Sequence, residues 1–293
     1  MMLRRLLLSS LCTVVAMMLA WTPYAIASPI EFINSGANAV AIQGTVDAFR
    51  TALGNPNNGN AAGTTGGRRE INWDGGNVAL TDTTPGGTPF NVFLNTRGGQ
   101  FIAGAGGTGF VQAPQSVSGG GNGNGLAGLF NNASYGTGFA PFSPSRLFVP
   151  VGTNAFDALF FVPGTNGGTR ATVSGFGIVF SDVDLANMTH IDFFDLQGNL
   201  LDSVNVPPGG AANQSFSFAG VLFTTEQIGR VHVVLGTNAL AQGVSDGAGV
   251  DVVAMDDFLF SEPRAVSAPG VLTLLLTGAM VLGAATRLRR CGA

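Results

Sequence analysis

The residues with the most chemical potential in this chain are its acids. Of the 17 acidic residues, 13 are aspartates and four are glutamates (Glu31, Glu70, Glu226, Glu262). Asp182-x-Asp184 with Asn187 forms an oxygen-rich turn after an apolar run, and Asp256-Asp257 stands inside the last apolar run. Hard oxygen ligands of this kind suit Ca²⁺, although the full twelve-residue calcium loop is absent. Solvated turn carboxylates are the alternative reading. No pair of acids stands in a recognisable acid–base arrangement for glycoside cleavage, so a glycoside hydrolase is the least favoured function.

Other chemistries find less support. The two histidines, His190 and His232, each sit among apolar neighbours in a strand-like pattern, and no Gly-x-Ser-x-Gly elbow accompanies them. Gly104 to Gly109 satisfies a dinucleotide fingerprint in spelling only. The following "FVQAPQ" does not start a helix, and the next acid is Asp157. Both cysteines, Cys12 and Cys291, lie near the ends, which leaves the body without disulfides or thiolate sites. The expectation is a non-enzyme without catalytic residues or cofactor, a structural Ca²⁺ excepted.

Charge narrows the partners. The body between the terminal segments carries eight arginines against 17 acids, a net −9, and the chain has no lysine. A surface of that sign repels phosphate backbones, so nucleic acid is excluded as a partner. Sugar binding usually needs Trp or Tyr rings, and past residue 27 only Trp73 and Tyr135 remain. Two readings of Trp73 stand: a possible ligand contact beside Asp74, or a rim residue of the core.

The elements that would position these residues follow from periodicity. Ala39, Ile42, Val46, Phe49 and Leu53 recur at helical spacing before Gly54, then "NPNNGNAAGTTGG" reads as a polar linker. From Arg68 to Phe260 short apolar runs alternate with Gly/Pro/Asn clusters, the pattern of an all-β sandwich. Strands are expected over 155–162, 170–180, 190–195, 200–206, 215–223, 229–236 and 250–260, with a hairpin turn at Gln197-Gly198-Asn199. The glycine-rich stretch from Gly98 to Gly138 is expected to be partly a long loop.

The ends read as addresses. Arg4 and Arg5, an apolar run over Leu6–Ala20, and small residues at Ala25 and Ala27 before Ser28 make a cleavable secretory signal. Near the other end, Gly270–Thr286 is uncharged, and Arg287, Arg289 and Arg290 follow at once. Counted from Ala265, the run is long enough for a transmembrane helix, and the positive-inside tendency places the body outside the cytoplasm. The organisation is therefore residues 1–27 signal, 28–66 helix and linker, 67–262 sandwich, and 263–293 tail.

This tail resembles the PEP-CTERM sorting signal of Gram-negative bacteria. Val266-Ser267-Ala268-Pro269-Gly270 keeps the motif's last proline and carries Ala268 where the family has glutamate. The resemblance implies a membrane anchor, an exosortase-like processing enzyme as partner, and delivery to the cell surface or the exopolysaccharide matrix. The body, through the order "GFGIVFSDVD…THIDFFDLQGNLL…FSFAGVLF…VAMDDFLF", resembles jelly-roll modules of the galactose-binding-like kind, and "GRREINWDGG" recurs in such chains. That likeness implies an antiparallel jelly-roll-like sandwich, with carbohydrate binding as the alternative function. In calcium-bearing jelly-rolls, acids of the first and last strands share an ion. By that analogy Glu70 or Asp74 comes beside Asp257, giving a site of Glu70, Asp74, Asp182, Asp184 and Asp257.

Overall fold

Two kinds of strand are visible in the burial pattern. Ala155–Phe160 (β6), His190–Phe194 (β9) and Arg230–Val234 (β12) alternate strictly between buried and half-buried residues. Gly175–Ser181 (β8) and Ala254–Ser261 (β13) are buried at every position. Alternation marks a sheet with one face in water; continuous burial marks a sheet covered on both faces. The protein has one of each. It is described by a computed structural model covering residues 28–74, 86–114, 125–210 and 212–266.

The covered sheet has the order β1-β11-β8-β13-β5-β4, with β2 also beside β13. Here β1 is Ile30–Gly36, β2 Arg68–Ile71, β4 Gly109–Ala113, β5 Leu147–Val151 and β11 Phe216–Leu222. The half-open sheet has the order β10-β9-β12-β6-β3, with β3 at Gly99–Ala103 and β10 at Leu200–Asn205. All these pairings are antiparallel. A two-residue pair, β7 (Ala171–Thr172) with β14 (Arg264–Ala265), closes one end. Between the sheets lies a core rich in phenylalanine, including Phe101, Phe148, Phe156, Phe176 and Phe258.

The outer face of the covered sheet is sealed by two further apolar layers. Helix α1 (Ala39–Leu53) begins at Asn38, whose side chain accepts a hydrogen bond from the Ala41 amide at 3.1 Å. It buries Ile42, Val46, Phe49 and Leu53 against Val179, Phe216, Phe218 and Leu259. The Phe49 ring lies over paired glycines Gly177 and Gly220, where an added Cβ would approach it to 2.9 and 3.0 Å. Short helices α2 (Gly125–Leu129) and α3 (Tyr135–Gly138) bring Leu126, Tyr135 and Phe139 onto Val111, Val149 and Val252.

Three regions differ from the expectation. Ile30–Gly36 is an edge strand rather than part of a helix-and-linker unit; its weak pattern takes its register from β11. The segment after α1 is held by Arg69, which donates to the carbonyls of Gly59 and Ala61 at 2.7 and 2.6 Å. Within the glycine-rich stretch, expected to be only partly a loop, β3 and β4 are regular strands too short to stand out between glycines, and residues 115–124 lie outside the described residues. The export segment with Ala25 and Ala27, and the anchor with Pro269, Gly270, Arg287, Arg289 and Arg290, lie outside the described residues. Among the described residues no helix is long and apolar enough to cross a membrane.

Candidate functional site

Strand β13 advances three residues, Met255 to Phe258, while its partner β8 advances two, Phe180 to Ile178. The extra residue is a β-bulge, and it turns both Asp256 and Asp257 away from regular strand positions. Asp256 is fully buried and Asp257 is 3% exposed. Asp256 Oδ2 accepts from the Phe142 and Ser143 amides at 2.5 and 3.0 Å. The Ser143 hydroxyl donates to Asp257 Oδ1 at 2.6 Å. Asp74 Oδ1 accepts from the Ser145 and Arg146 amides at 2.6 and 2.9 Å. Three acids thus hold one loop, 142–146, against the sheet.

Burial raises the carboxyls of both bulge residues. Asp256 lies well above its ordinary value because it is desolvated and its neighbour Asp257 is also acidic; the amides of Ser143 and Phe142 oppose this. Asp257 is raised by burial, against the Ser143 hydroxyl and the charge of Arg50. Bonded to amides, a hydroxyl and a guanidinium, these oxygens fix a loop and a helix.

The expected five-residue calcium site does not form as one unit. Glu70 and Asp257 do come together across β2 and β13, but a cation already stands between them. Arg50 of α1 donates from Nε to Glu70 Oε2 at 3.1 Å and from Nη2 to Asp257 Oδ2 at 2.9 Å. Arg68 adds a contact to Glu70 Oε1 at 2.6 Å. Guanidinium fills the electrostatic role that the jelly-roll analogy gave to calcium. Asp182 and Asp184 lie in a different acidic group, with Asp246 and Asp251 as their charged neighbours.

Trp73 is corrected from a possible ligand contact to a core residue. It is 1% exposed and stacks on Phe148 with ring centroids 3.7 Å apart, while its indole N–H donates to the Asp256 carbonyl at 2.9 Å. No face of the ring is offered to a sugar. Tyr135 is likewise 1% exposed, and its hydroxyl donates to the Val244 carbonyl at 2.6 Å.

Sequence reasoning missed the outer face of the five-stranded sheet. Cross-strand register lines up Asp157, His232, Asp192 and Ser203 on neighbouring strands. His232 Nδ1 lies 2.8 Å from Asp157 Oδ1, and Arg230 Nη1 donates to the same oxygen at 3.0 Å. Burial alone would raise Asp157, but the hydrogen bond from His232 and the charge of Arg230 outweigh it and hold the carboxyl below its ordinary value. The Arg230 guanidinium sits 3.8 Å from the Phe194 ring centroid, and Ser203 donates to Asp192 at 2.6 Å. Period-two alternation puts each residue on the outer face of its strand; which strands are neighbours is not written in any one of them. A separate cleft of about 530 Å³, lined by Thr64, Thr172, Glu226, Arg264 and Val266 among others, lies where the chain leaves the sandwich.

No family model matches the chain, and no curated protein matches it. Among solved structures, the enzymatically active domain of tailspike protein 4 of bacteriophage CBA120 is similar at 15% identity, with a TM-score of 0.26. The match covers 63% of this chain and 22% of that one. The chain thus spans about a fifth of that structure, and a likeness of this grade carries no argument.

Proposed function

We propose that the chain is an exported, non-enzymatic protein of the cell surface or exopolysaccharide matrix, sorted through a PEP-CTERM-like tail. On this reading the sandwich is a jelly-roll-like module, the signal is removed before Ser28, and the last apolar run spans the inner membrane of a Gram-negative bacterium. The observation that carries the proposal is the order at the end of the chain. The core's last long strand closes at Ser261, and the uncharged run Gly270–Thr286 follows and stops against Arg287, Arg289 and Arg290. Guanidinium groups in that position resist translocation and leave the sandwich outside the cytoplasm.

Mass analysis of the mature protein from membrane, surface and medium fractions tests this. The expected polypeptide begins at Ser28, and its other end lies before Pro269 if an exosortase-like enzyme has acted. Retention of Arg290 and Cys291 in the membrane fraction would indicate a permanent anchor in place of processing. A precursor of full length, dissolved in the cytoplasm, sinks the proposal.

A second reading, a carbohydrate-binding module, is favoured by the half-open sheet face. Asp157, Asp192, His232 and Arg230 present hydrogen-bonding groups beside the Phe194 ring, with Asp157 and His232 each about a third exposed. Co-sedimentation with the organism's own exopolysaccharide, lost on His232→Ala and Asp157→Ala together, would support it. Unchanged co-sedimentation of that double variant removes this face from consideration.

A further inference from the structure

A second acidic group lies at the end of β8, apart from the bulge network. Asp182 follows the last residue of that strand and is fully buried. Both its carboxylate oxygens are buried without a hydrogen-bond partner among the described residues, and so is Oδ1 of Asp184. The Gln214 amide donates to the Gly138 carbonyl at 2.7 Å, and its pull on Asp182, which lowers that carboxyl, is the weakest of the influences on it. Gly138 itself has no side chain to fill the space: a Cβ there would sit 3.4 Å from Asp182 Oδ2.

Three more carboxylates surround this one. Asp184 shares its loop, and Asp246 and Asp251 come from the segment leading into β13. Asp251 is fully buried and accepts from the Leu185 amide at 3.1 Å; Asp246 accepts from the Val252 amide at 2.9 Å. Among the described residues, the charges that act most on these carboxyls are one another's. Burial and this uncompensated negative charge push Asp182 up to about 8 and Asp251 up to about 6. A buried carboxylate without a partner is a costly arrangement for a protein to keep. At the bulge the same problem is solved by Arg50; here the charged neighbours among the described residues are acids.

We propose that Asp182, Asp184, Asp246 and Asp251 form a binding site for one hard divalent cation, Ca²⁺ in the extracellular setting. The donors are all oxygens, as Ca²⁺ prefers, and Asp184 and Asp246 are partly exposed, which gives the ion a way in. Among the described residues no three acidic side chains already stand in metal-holding geometry. Binding therefore requires Asp184 and Asp246 to rotate inward towards Asp182, and it releases the proton that Asp182 holds at neutral pH. The ion would pin the loop after β8 to the segment before β13.

The test uses the full chain, purified in mild detergent and stripped with EGTA. Calcium binding is followed by equilibrium dialysis and by melting temperature, with Mg²⁺ in a parallel arm. The expected result is one equivalent of Ca²⁺ with Kd of about 0.1–1 mM, the range of extracellular modules. Saturating calcium should raise the melting temperature by at least about 3 °C, with a smaller rise for Mg²⁺. Asp182→Asn and Asp246→Asn should each weaken binding at least about tenfold, converted from the loss of one charged ligand. Asp182→Asn replaces a carboxyl that is protonated at neutral pH with a neutral amide of nearly the same shape, so it should melt no lower than the parent without calcium; its lost binding then cannot be laid to misfolding. No saturable binding at about ten times the expected Kd, or equal binding by the parent and both variants, overturns the proposal.

Discussion

Arg69 and Glu262, 193 residues apart in the chain, form a two-pronged buried ion pair. Nε–Oε2 is 2.6 Å and Nη2–Oε1 is 2.7 Å, with the side chains 0% and 3% exposed. The guanidinium's other three hydrogens are shared among the Gly59, Ala61 and Thr96 carbonyls and the Thr64 hydroxyl. Breaking such a pair leaves one charge buried without its partner, which costs about 3–5 kcal/mol. Glu262→Gln and Arg69→Leu should each lower stability by an amount in that range, read from urea unfolding. Arg69→Lys should not rescue, because an ammonium cannot supply the planar fork. A change below about 1 kcal/mol in Glu262→Gln would show that the pair contributes little.

The contact between α1 and the covered sheet makes a second prediction. Gly177 and Gly220 face each other across β8 and β11, and Phe49 lies over both. A Cβ on Gly177 would stand 2.9 Å from both Gly220 Cα and Phe49 Cε1, closer than real contacts allow. Gly177→Ala should therefore destabilise by about 1–3 kcal/mol through overpacking. Adding Phe49→Leu should recover part of that loss, because the two residues compete for one space. If the two losses simply add in denaturant melts, the ring is not what the new methyl meets.

These two contacts also show how far the sequence could be read. The apolar stripe at Ile42, Val46, Phe49 and Leu53 and the Gly54 stop are local signals, and the helix has those bounds. Seven strand segments were legible for the same reason: each is a run of side chains that alternates, or stays apolar, over five or more residues. Which strand neighbours which is non-local, so neither the Arg69–Glu262 pair nor the Asp157–His232 row could be found from spacing. The bulge at Asp256-Asp257 was hidden too, since an extra residue shows only against the partner strand. Trp73 misled by its neighbour: Asp74 points to the amides of loop 142–146, whereas the indole turns inward onto Phe148.

The pH dependence of stability should carry the mark of Asp182 and Asp251. A carboxyl whose folded pKa is raised binds more protons in the folded than in the unfolded chain, between its ordinary value of about 4 and the raised one. Stability in that window falls as pH increases. With Asp251 raised to about 6 and Asp182 to about 8, melting temperature in EGTA should decline from pH 5 to pH 8. Asp182→Asn should flatten the upper half of the decline, from pH 6 to 8, and leave the lower half to Asp251. An identical slope in the variant would assign the effect to other groups.

Arg50 offers the sharpest test of how the bulge network is balanced. Its guanidinium, 20% exposed, is shared between Glu70 and Asp257, which are 15% and 4% exposed. Arg50→Met keeps much of the apolar stem but leaves Asp257 facing Glu70 without its cation, while Glu70 keeps Arg68. The expected loss is about 1.5–3 kcal/mol, that of a hydrogen bond to a charged group, and it should shrink as pH is lowered, because burial already raises Asp257 and its protonation relieves the missing cation. Asp257→Asn placed on the Arg50→Met background should then restore stability, since it removes the charge that Arg50 neutralises while the amide can still bond Ser143. Hydrogen exchange of the α1 amides reads the same balance locally: faster in the single variant, slowed again in the double. Should the double variant be no more stable than the single one, Arg50 holds the helix through its packed stem, and charge compensation at the bulge is not what fixes α1 to the sheet.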